Sequence, residues 1–253
     1  MPPISATIIT HNEAANIARA ICSLDCADEI LVVDSGSTDE TVRIAAELGA
    51  RMIAHPWEGF AAQKNFAVQQ ARHDWVLSLD ADEELNSEAR AALREWKQSA
   101  PAVGAYCFAR RAQYLGRWIL HSGWYPDWKI RLFDRNKAHW AGDYVHESVV
   151  ADGPVKTMNG EILHYTCNSL DDHRKRIEFY TDLAAREIFE RGGRAGFASR
   201  LLAPPWVFAN TYFLRLGVLD GVPGFLIAWM AARYVHRKYA KLAQLQRGDK
   251  GKP

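Results

Sequence analysis

Four carboxylates, Asp34, Asp39, Asp80 and Asp82, stand where their types and spacing allow chemistry. Asp34 follows the apolar run 30–33 and Asp80 follows the run 75–79. Asp80-Ala81-Asp82 offers two oxygen ligands, separated by one small residue, to a hard divalent cation, Mg²⁺ or Mn²⁺. A cation bridging such a pair to a diphosphate neutralises the charge that develops as a nucleotide departs. That help amounts to several kcal/mol, where about 1.4 kcal/mol is tenfold in rate. Asp34 is suited to accept a hydrogen bond from a base N–H. Asp39 serves either the ligand or, with Ser37 and Thr38, the cap of the next helix. Lys64 is placed to reach the diphosphate, although a lone lysine on a helix is as readily a solvated one. Glu83-Glu84 leave a plain acidic turn as the alternative to a D-x-D cation site.

Transfer to a hydroxyl also needs a base on the acceptor side. Two candidates lie downstream: Asp127 in WYPDW and Glu147 in GDYVHE. Glu147 is preferred, because it follows an aromatic-rich segment and has no nearby helix to cap. His164, in ILHY, is a candidate to complete the cation's shell through an imidazole nitrogen; the alternative is a structural histidine at a strand end. The aromatics of 115–140 either roof the site, where polyhydroxylated rings lie on aromatic faces, or supplement the core.

These residues need elements to hold them. Ile4–Thr10 reads as a first strand, ended by Asn12-Glu13, which are grouped with the donor-binding residues. Ile17, Ala18, Ile21 and Leu24 follow at helical spacing. The run 30–33 is the next strand, and Val42, Ala45, Ala46 and Leu48 mark a helix closed by Gly49. Residues 51–55 suggest a third strand, 61–71 a helix and 75–79 a fourth strand. This βαβαβαβ alternation predicts an α/β fold with a mostly parallel central sheet and helices on both faces. In such open sheets ligands bind beyond the carboxyl ends of the strands, where Asp34 and Asp80 fall. Further on, the pattern predicts a helix capped by Ser87, strands over 104–111 and 128–133, and a helix capped at Ser169-Leu170-Asp171-Asp172.

A chain of 253 residues with 48% apolar and 24% charged residues buries a sizeable core. A net charge of +1 implies no attraction to nucleic acid. Four cysteines without a C-x-x-C pair predict reduced thiols and a cytosolic setting. MPPISATIIT has no basic region before a long apolar stretch, so no secretory leader is expected. Charge is uneven: residues 233–253 hold seven Lys/Arg against Asp249, a net +6, which leaves −5 for the rest. The blocks 201–214 and 221–232 are strongly apolar, yet each falls short of the roughly 18–20 residues that span a bilayer. Pro204, Pro205, Gly217, Gly221, Pro223 and Gly224 argue against one straight helix. With Trp206, Tyr212, Trp229, Tyr234 and Tyr239 beside a basic tail, 201–253 reads as a membrane-interface segment. The alternative is a buried helical hairpin or a dimer interface.

The segments IITHNEAANI, EILVVDSGSTDET and WVLSLDADEEL together resemble the nucleotide-sugar half of family 2 glycosyltransferases of the GT-A fold. RLFDRNKAHWAGDYVHE resembles the acceptor half of a bacterial subset. LRLGVLDGVPGFLIAWMAARYVHRKYAKL is similar to the tail of the lipopolysaccharide core β-1,4-glucosyltransferases. The resemblance implies a catalytic domain over 1–168, with a nucleotide-sugar half at 1–85 and an acceptor half at 86–168, and a helical extension over 169–253. It implies inverting transfer from a UDP-sugar, UDP-glucose, to an inner-core heptose of a lipid A-core acceptor. It places Asp34 at the uracil, Asp82 on the metal, Asp80 at the ribose or metal, and Glu147 as base. The enzyme would then act peripherally on the cytoplasmic face of the inner membrane. Another lipid-linked acceptor, such as a polyprenyl phosphate, and a non-catalytic nucleotide-sugar-binding protein are the alternatives. A D-x-D phosphatase is disfavoured by Glu83-Glu84 and by the strands that precede the motif. A nucleotidyltransferase is disfavoured because no Gly-rich phosphate loop follows the first strand.

Overall fold

The computed structural model describes residues 1–142, 147–167 and 169–249. The chain forms two compact units, Met1–Arg111 with Asp127–Tyr165, and Ala112–Pro126 with Thr166–Pro253.

The first unit opens with β1 (Ile4–Thr10), α1 (Ile17–Cys22), β2 (Glu29–Asp34), α2 (Thr41–Glu47), β3 (Arg51–Ala54), α3 (Phe60–Gln70) and β4 (Trp75–Asp80). These four strands are parallel in the order β3-β2-β1-β4. Alternate side chains of each strand enter different cores, as the period of two requires. Ile4, Ala6 and Ile8 pack with Val32, Leu77 and Leu79 against α1 and against α4 (Ser87–Lys97). On the other face Leu31 and Val33 pack with Ile9 against Ala67 of α3. Each fully buried Ile, Leu or Val among them contributes about 1.5–3 kcal/mol. The expected α/β sheet with helices on both faces is thus present. The strand order reverses between β1 and β4, and Asp34 and Asp80 pair in register with Thr10 and Ile9 at that end.

Antiparallel strands continue the sheet. They are β5 (Glu83–Leu85), β6 (Ala105–Tyr114), β8 (Asp127–Asp134) and β11 (Val155–Cys167), with β7 (Arg117–Trp118) paired to the end of β6 in the second unit. β8 pairs with β4, and β11 pairs with β5, setting His164 opposite Glu83. A separate two-stranded sheet joins β9 (Ala138–Ala141) to β10 (Ser148–Ala151). One alternative and one expectation are overturned. The acidic stretch after Asp82 is a short strand, buried at Glu83 and Leu85, and not a turn. The cap of α4 is Asn86, not Ser87: its Oδ1 accepts the Ala89 N–H at 2.8 Å from an extended backbone, one position before the expected cap.

In the second unit, α5 (Leu170–Glu190) starts where predicted, with Ser169 Oγ accepting the Asp172 N–H at 3.1 Å. It packs against α8 (Val222–Asp249), and Lys241 of α8 meets Asp182 at 2.9 Å and Glu178 at 3.1 Å. The apolar block 201–214 is broken, as its prolines require. α6 (Phe197–Leu201) and α7 (Ala203–Ala209) lead into a π-helical turn, Asn210–Leu214, and a 3-10 turn, Gly217–Asp220. Among the described residues no helix is long and apolar enough to cross a membrane.

Candidate active site

The loops after β1 and β2 interlock in the first unit. Asp34 Oδ2 accepts the N–H groups of Gly36 (3.0 Å) and Ser37 (2.9 Å), and Oδ1 accepts the Ser37 hydroxyl. Gly36 has φ +85°, which glycine adopts without strain. Asn12 Oδ1 accepts the Thr38 N–H at 2.8 Å, while its own N–H donates to Ser37 Oγ. The Glu13 N–H donates to Thr41 Oγ1 at 2.8 Å. Asp39 accepts N–H groups from Thr41 and Ala14, and the Thr41 hydroxyl holds its carboxyl below the usual range. Asp39 thus ties the start of α2 to the first loop, although the N-cap position itself is Glu40, whose side chain makes no capping hydrogen bond. Asn12, Glu13, Asp34 and Asp39 stand together at the carboxyl ends of β1 and β2, in a frame already organised by their own hydrogen bonds.

Beyond β4 the charged side chains alternate in sign. Lys64 of α3, 3% exposed, donates to Asp80 Oδ1 at 2.8 Å and to Glu147 Oε1 at 3.0 Å. Its Nζ also lies 4.3 Å from the centre of the Trp140 ring. A solvated lysine is therefore ruled out. Its desolvation is offset by two carboxylates and an aromatic face. Asp80 Oδ2 meets Arg131 Nη2 at 3.0 Å, and Arg131 also meets Glu83 Oε1 at 2.7 Å. Arg110 continues the series, 3.0 Å from Glu83 and 2.6 Å from Asp127. Burial alone would raise the Asp80 carboxyl, but Lys64 and Arg131 outweigh it and hold it well below the usual carboxylate range. Burial likewise opposes the charge on Arg131, and Glu83 and Asp80 overcome it.

The two candidate bases differ in what their oxygens already do. Asp127 Oδ2 takes two N–H groups of Arg110, and Oδ1 faces Lys129 at 3.2 Å. Burial favours its neutral form, but Arg110 lowers its carboxyl regardless. Glu147 takes the single Lys64 hydrogen bond through Oε1, and among the described residues its Oε2 takes none. Residues 143–146 of GDYVHE lie outside the described residues. Asn65, next to Lys64 on α3, clamps the small sheet whose second strand follows directly after Glu147: it donates to the Trp140 carbonyl (2.8 Å) and accepts the Trp140 N–H (3.0 Å). Trp140 itself is buried, on the core side of the two readings of the aromatic segment.

Asp82 and His164 form a separate pair, with Oδ2 and Nε2 3.2 Å apart. His164 lies inside β11 rather than at a strand end. A carboxylate oxygen beside an imidazole nitrogen suits Mn²⁺, and a Mg²⁺ or Mn²⁺ site on substrate phosphates needs only one or two protein ligands. The pair therefore fits a cation held largely by a diphosphate. Among the described residues no third His, Cys, Asp or Glu joins such a cluster. Asp80 gives its two oxygens to Lys64 and Arg131 instead. Arg110 and Arg131 had no place in the sequence reading, and Glu83 entered it only as part of an acidic turn. The one sequence signal was Arg131 directly before the apolar pair Leu132-Phe133 in RLFDRN, a charge beside two buried strand positions.

Comparison with known proteins bears on this arrangement. The family described as "Glycosyl transferase family 2" matches residues 5–151. A glycosyltransferase of Rickettsia typhi, itself uncharacterised, is 35% identical over 97% of this chain and 88% of its own length. The lipopolysaccharide core biosynthesis glycosyltransferase LpsC of Rhizobium meliloti is 32% identical over 96% of this chain and 92% of its own. Among solved structures, glucosyl-3-phosphoglycerate synthase from Mycobacterium tuberculosis, in complex with Mn²⁺, UDP and glucosyl-3-phosphoglycerate, is 24% identical over 44% of each chain. Its TM-score of 0.37 is too low to bear on the site. With the family match covering more than half of the chain, and relatives above 30% identity along nearly all of it, the chain belongs to glycosyl transferase family 2 and is a glycosyltransferase.

Proposed function

We propose that this enzyme moves a sugar, glucose, from its UDP conjugate to an inner-core heptose of lipid-anchored lipopolysaccharide, with inversion, on the cytoplasmic face of the inner membrane. The observation that carries the reading is the single buried ammonium of Lys64 joining Asp80, at the end of β4, to Glu147. It ties a donor-side carboxylate to an acceptor-side one. Asp34, with Asn12, Glu13 and Asp39, frames the base and ribose end, where its carboxylate answers a uracil N–H. Glu147 Oε2 takes the proton of the acceptor hydroxyl as that oxygen bonds to the anomeric carbon. The bond from that carbon to the diphosphate breaks, and UDP leaves with the electron pair. Lys64 orients Glu147 and Asp80 in the same act. Asp82 and His164 would hold a divalent cation, which supplies Lewis-acid neutralisation of the departing diphosphate. The lipopolysaccharide core role of the Rhizobium relative supports the acceptor class.

Calorimetry tests the donor half. UDP binding to the wild type is expected to strengthen on addition of Mn²⁺, and Asp82→Ala to remove that strengthening, a loss of at least about tenfold, or about 1.4 kcal/mol. Cation-dependent binding that persists in Asp82→Ala would take Asp82 out of this role. A panel of UDP-sugars, each assayed for UDP release with and without core lipopolysaccharide, tests the rest. The expected result is release from UDP-glucose, accelerated by the heptose-bearing acceptor. Failure of every UDP-sugar would reject the donor class.

A further inference from the structure

The second unit carries a surface that the transfer chemistry does not use. Among the described residues, twelve of the twenty-one exposed large apolar side chains lie between residues 197 and 229. Phe197, Trp206, Leu214, Leu219, Val222 and Trp229 are each more than half exposed. Val222, Phe225 and Trp229 share one face of α8, at spacings of three and four. Ile227, Ala228 and Met230 on the same helix are buried. An apolar patch of this extent marks an interaction surface, because monomeric proteins rarely leave one to water.

The tips are held outward by the frame beneath them. Asp220, its side chain 5% exposed, accepts the N–H groups of Leu120 (3.2 Å) and His121 (3.1 Å) and the Ser122 hydroxyl (3.1 Å). At the start of α8 the backbones touch: a Cβ on Gly224 would sit 1.8 Å from the Gly217 carbonyl oxygen. The turns bearing Leu214, Leu216 and Leu219 thus have little freedom to fold their side chains inward. Charge decides the partner. Between residues 194 and 248 Asp220 is the only acid, and it is committed to the backbone N–H groups of 120 and 121 and to the Ser122 hydroxyl. Arg194, Arg200, Arg215 and Arg233 are exposed and make no ion pair among the described residues. A second copy would bring the same positive rim and repel. A bilayer with anionic headgroups offers apolar depth and negative charge together.

We propose that residues 197–233 form a monotopic docking face that seats the protein on an anionic lipid surface. Trp206 and Trp229 lie at headgroup depth, and the aliphatic tips of 213–222 lie below them. The proposal deepens the lipid-acceptor reading but stands on the second unit alone, so either can fail without the other. The test is co-sedimentation of the full chain with phosphatidylcholine vesicles, with and without phosphatidylglycerol. The wild type is expected to pellet with the anionic vesicles and to be released by salt. Leu214→Glu with Leu219→Glu is expected to weaken binding by at least about tenfold, since each buried leucine is worth about that factor or more. Arg200→Gln with Arg233→Gln should weaken binding to anionic vesicles severalfold and leave neutral vesicles unaffected. Both variants should keep wild-type thermal unfolding and UDP release, which separates lost docking from lost folding or chemistry. Equal pelleting of the wild type and the glutamate variant would overturn the proposal. So would a wild type that binds neither vesicle, or one that sediments as a dimer broken by the same glutamates.

Discussion

Glu147→Gln is expected to collapse turnover while leaving the donor site intact. A positioned general base contributes about 10²–10⁴-fold, and the loss should fall in that range, about 3–5 kcal/mol of barrier. Glutamine keeps the size and the Oε1 acceptor that Lys64 uses at 3.0 Å, so Lys64 and Asp80 stay in place. UDP affinity in calorimetry should therefore match the wild type, and the effect should appear in kcat and not in donor KM. Asp127→Asn is the control. Both Asp127 oxygens are already occupied by Arg110 and Lys129. Its loss should cost about 1 kcal/mol of stability or less, the scale of a partly exposed pair, and change turnover little. Near-wild-type turnover in Glu147→Gln, or collapse in Asp127→Asn, would move the base assignment away from Glu147.

The second large effect concerns folding. Glu83→Ala removes the acid shared by Arg131 and Arg110, and Glu83 and Arg131 are both almost fully buried. Among the described residues, Arg131 would keep Asp80 as its one ion-pair partner, and Arg110 would keep Asp127. Taking one partner from a buried ion pair costs about 3–5 kcal/mol, because a charge stays behind without compensation. Against a typical stability of about 5–15 kcal/mol, such a variant is close to unfolding. The measurement is urea denaturation, with a lower midpoint at an unchanged slope. Glu83→Leu combined with Arg131→Leu should recover part of the loss, since that pair of changes removes both members of the closest contact. A fall below about 1 kcal/mol for Glu83→Ala would show that the alternating charges are not what holds β4, β5 and β8 together. A UDP-binding assay on the same protein shows whether Asp80 loses its orientation as well.

The elements were legible because their signals are local. β1 lies where its apolar run ends at Thr10, and β2 and β4 end on the aspartates that close their runs. The parallel order follows from crossover connections that leave few alternatives. The helix at 170–190 announced itself by Ser169 and Asp172. Short antiparallel strands such as β5 and β10 were not legible, since three or four residues carry no period and their pairing partners lie far along the chain.

The same division runs through the site. By sequence alone, Asp34 and Asp80 were assigned to the carboxyl ends of strands, with Asp82 just beyond and Asp39 at the start of the next helix, because strand ends are written in runs of neighbouring residues. Asn12 and Glu13 followed for the same reason. Lys64, read as reaching the diphosphate or lying in solvent, takes its meaning from residues 16 and 83 positions later. Glu83 meets Arg110 and Arg131 across strands, 27 and 48 residues apart. No pattern of near neighbours encodes such a meeting; it comes from sheet register and from the need to offset each buried charge with its opposite. The sequence determined which carboxylates stand at the edge of the sheet. Only the tertiary structure decided that one buried lysine joins Asp80 to Glu147, because desolvating that ammonium requires both partners at once.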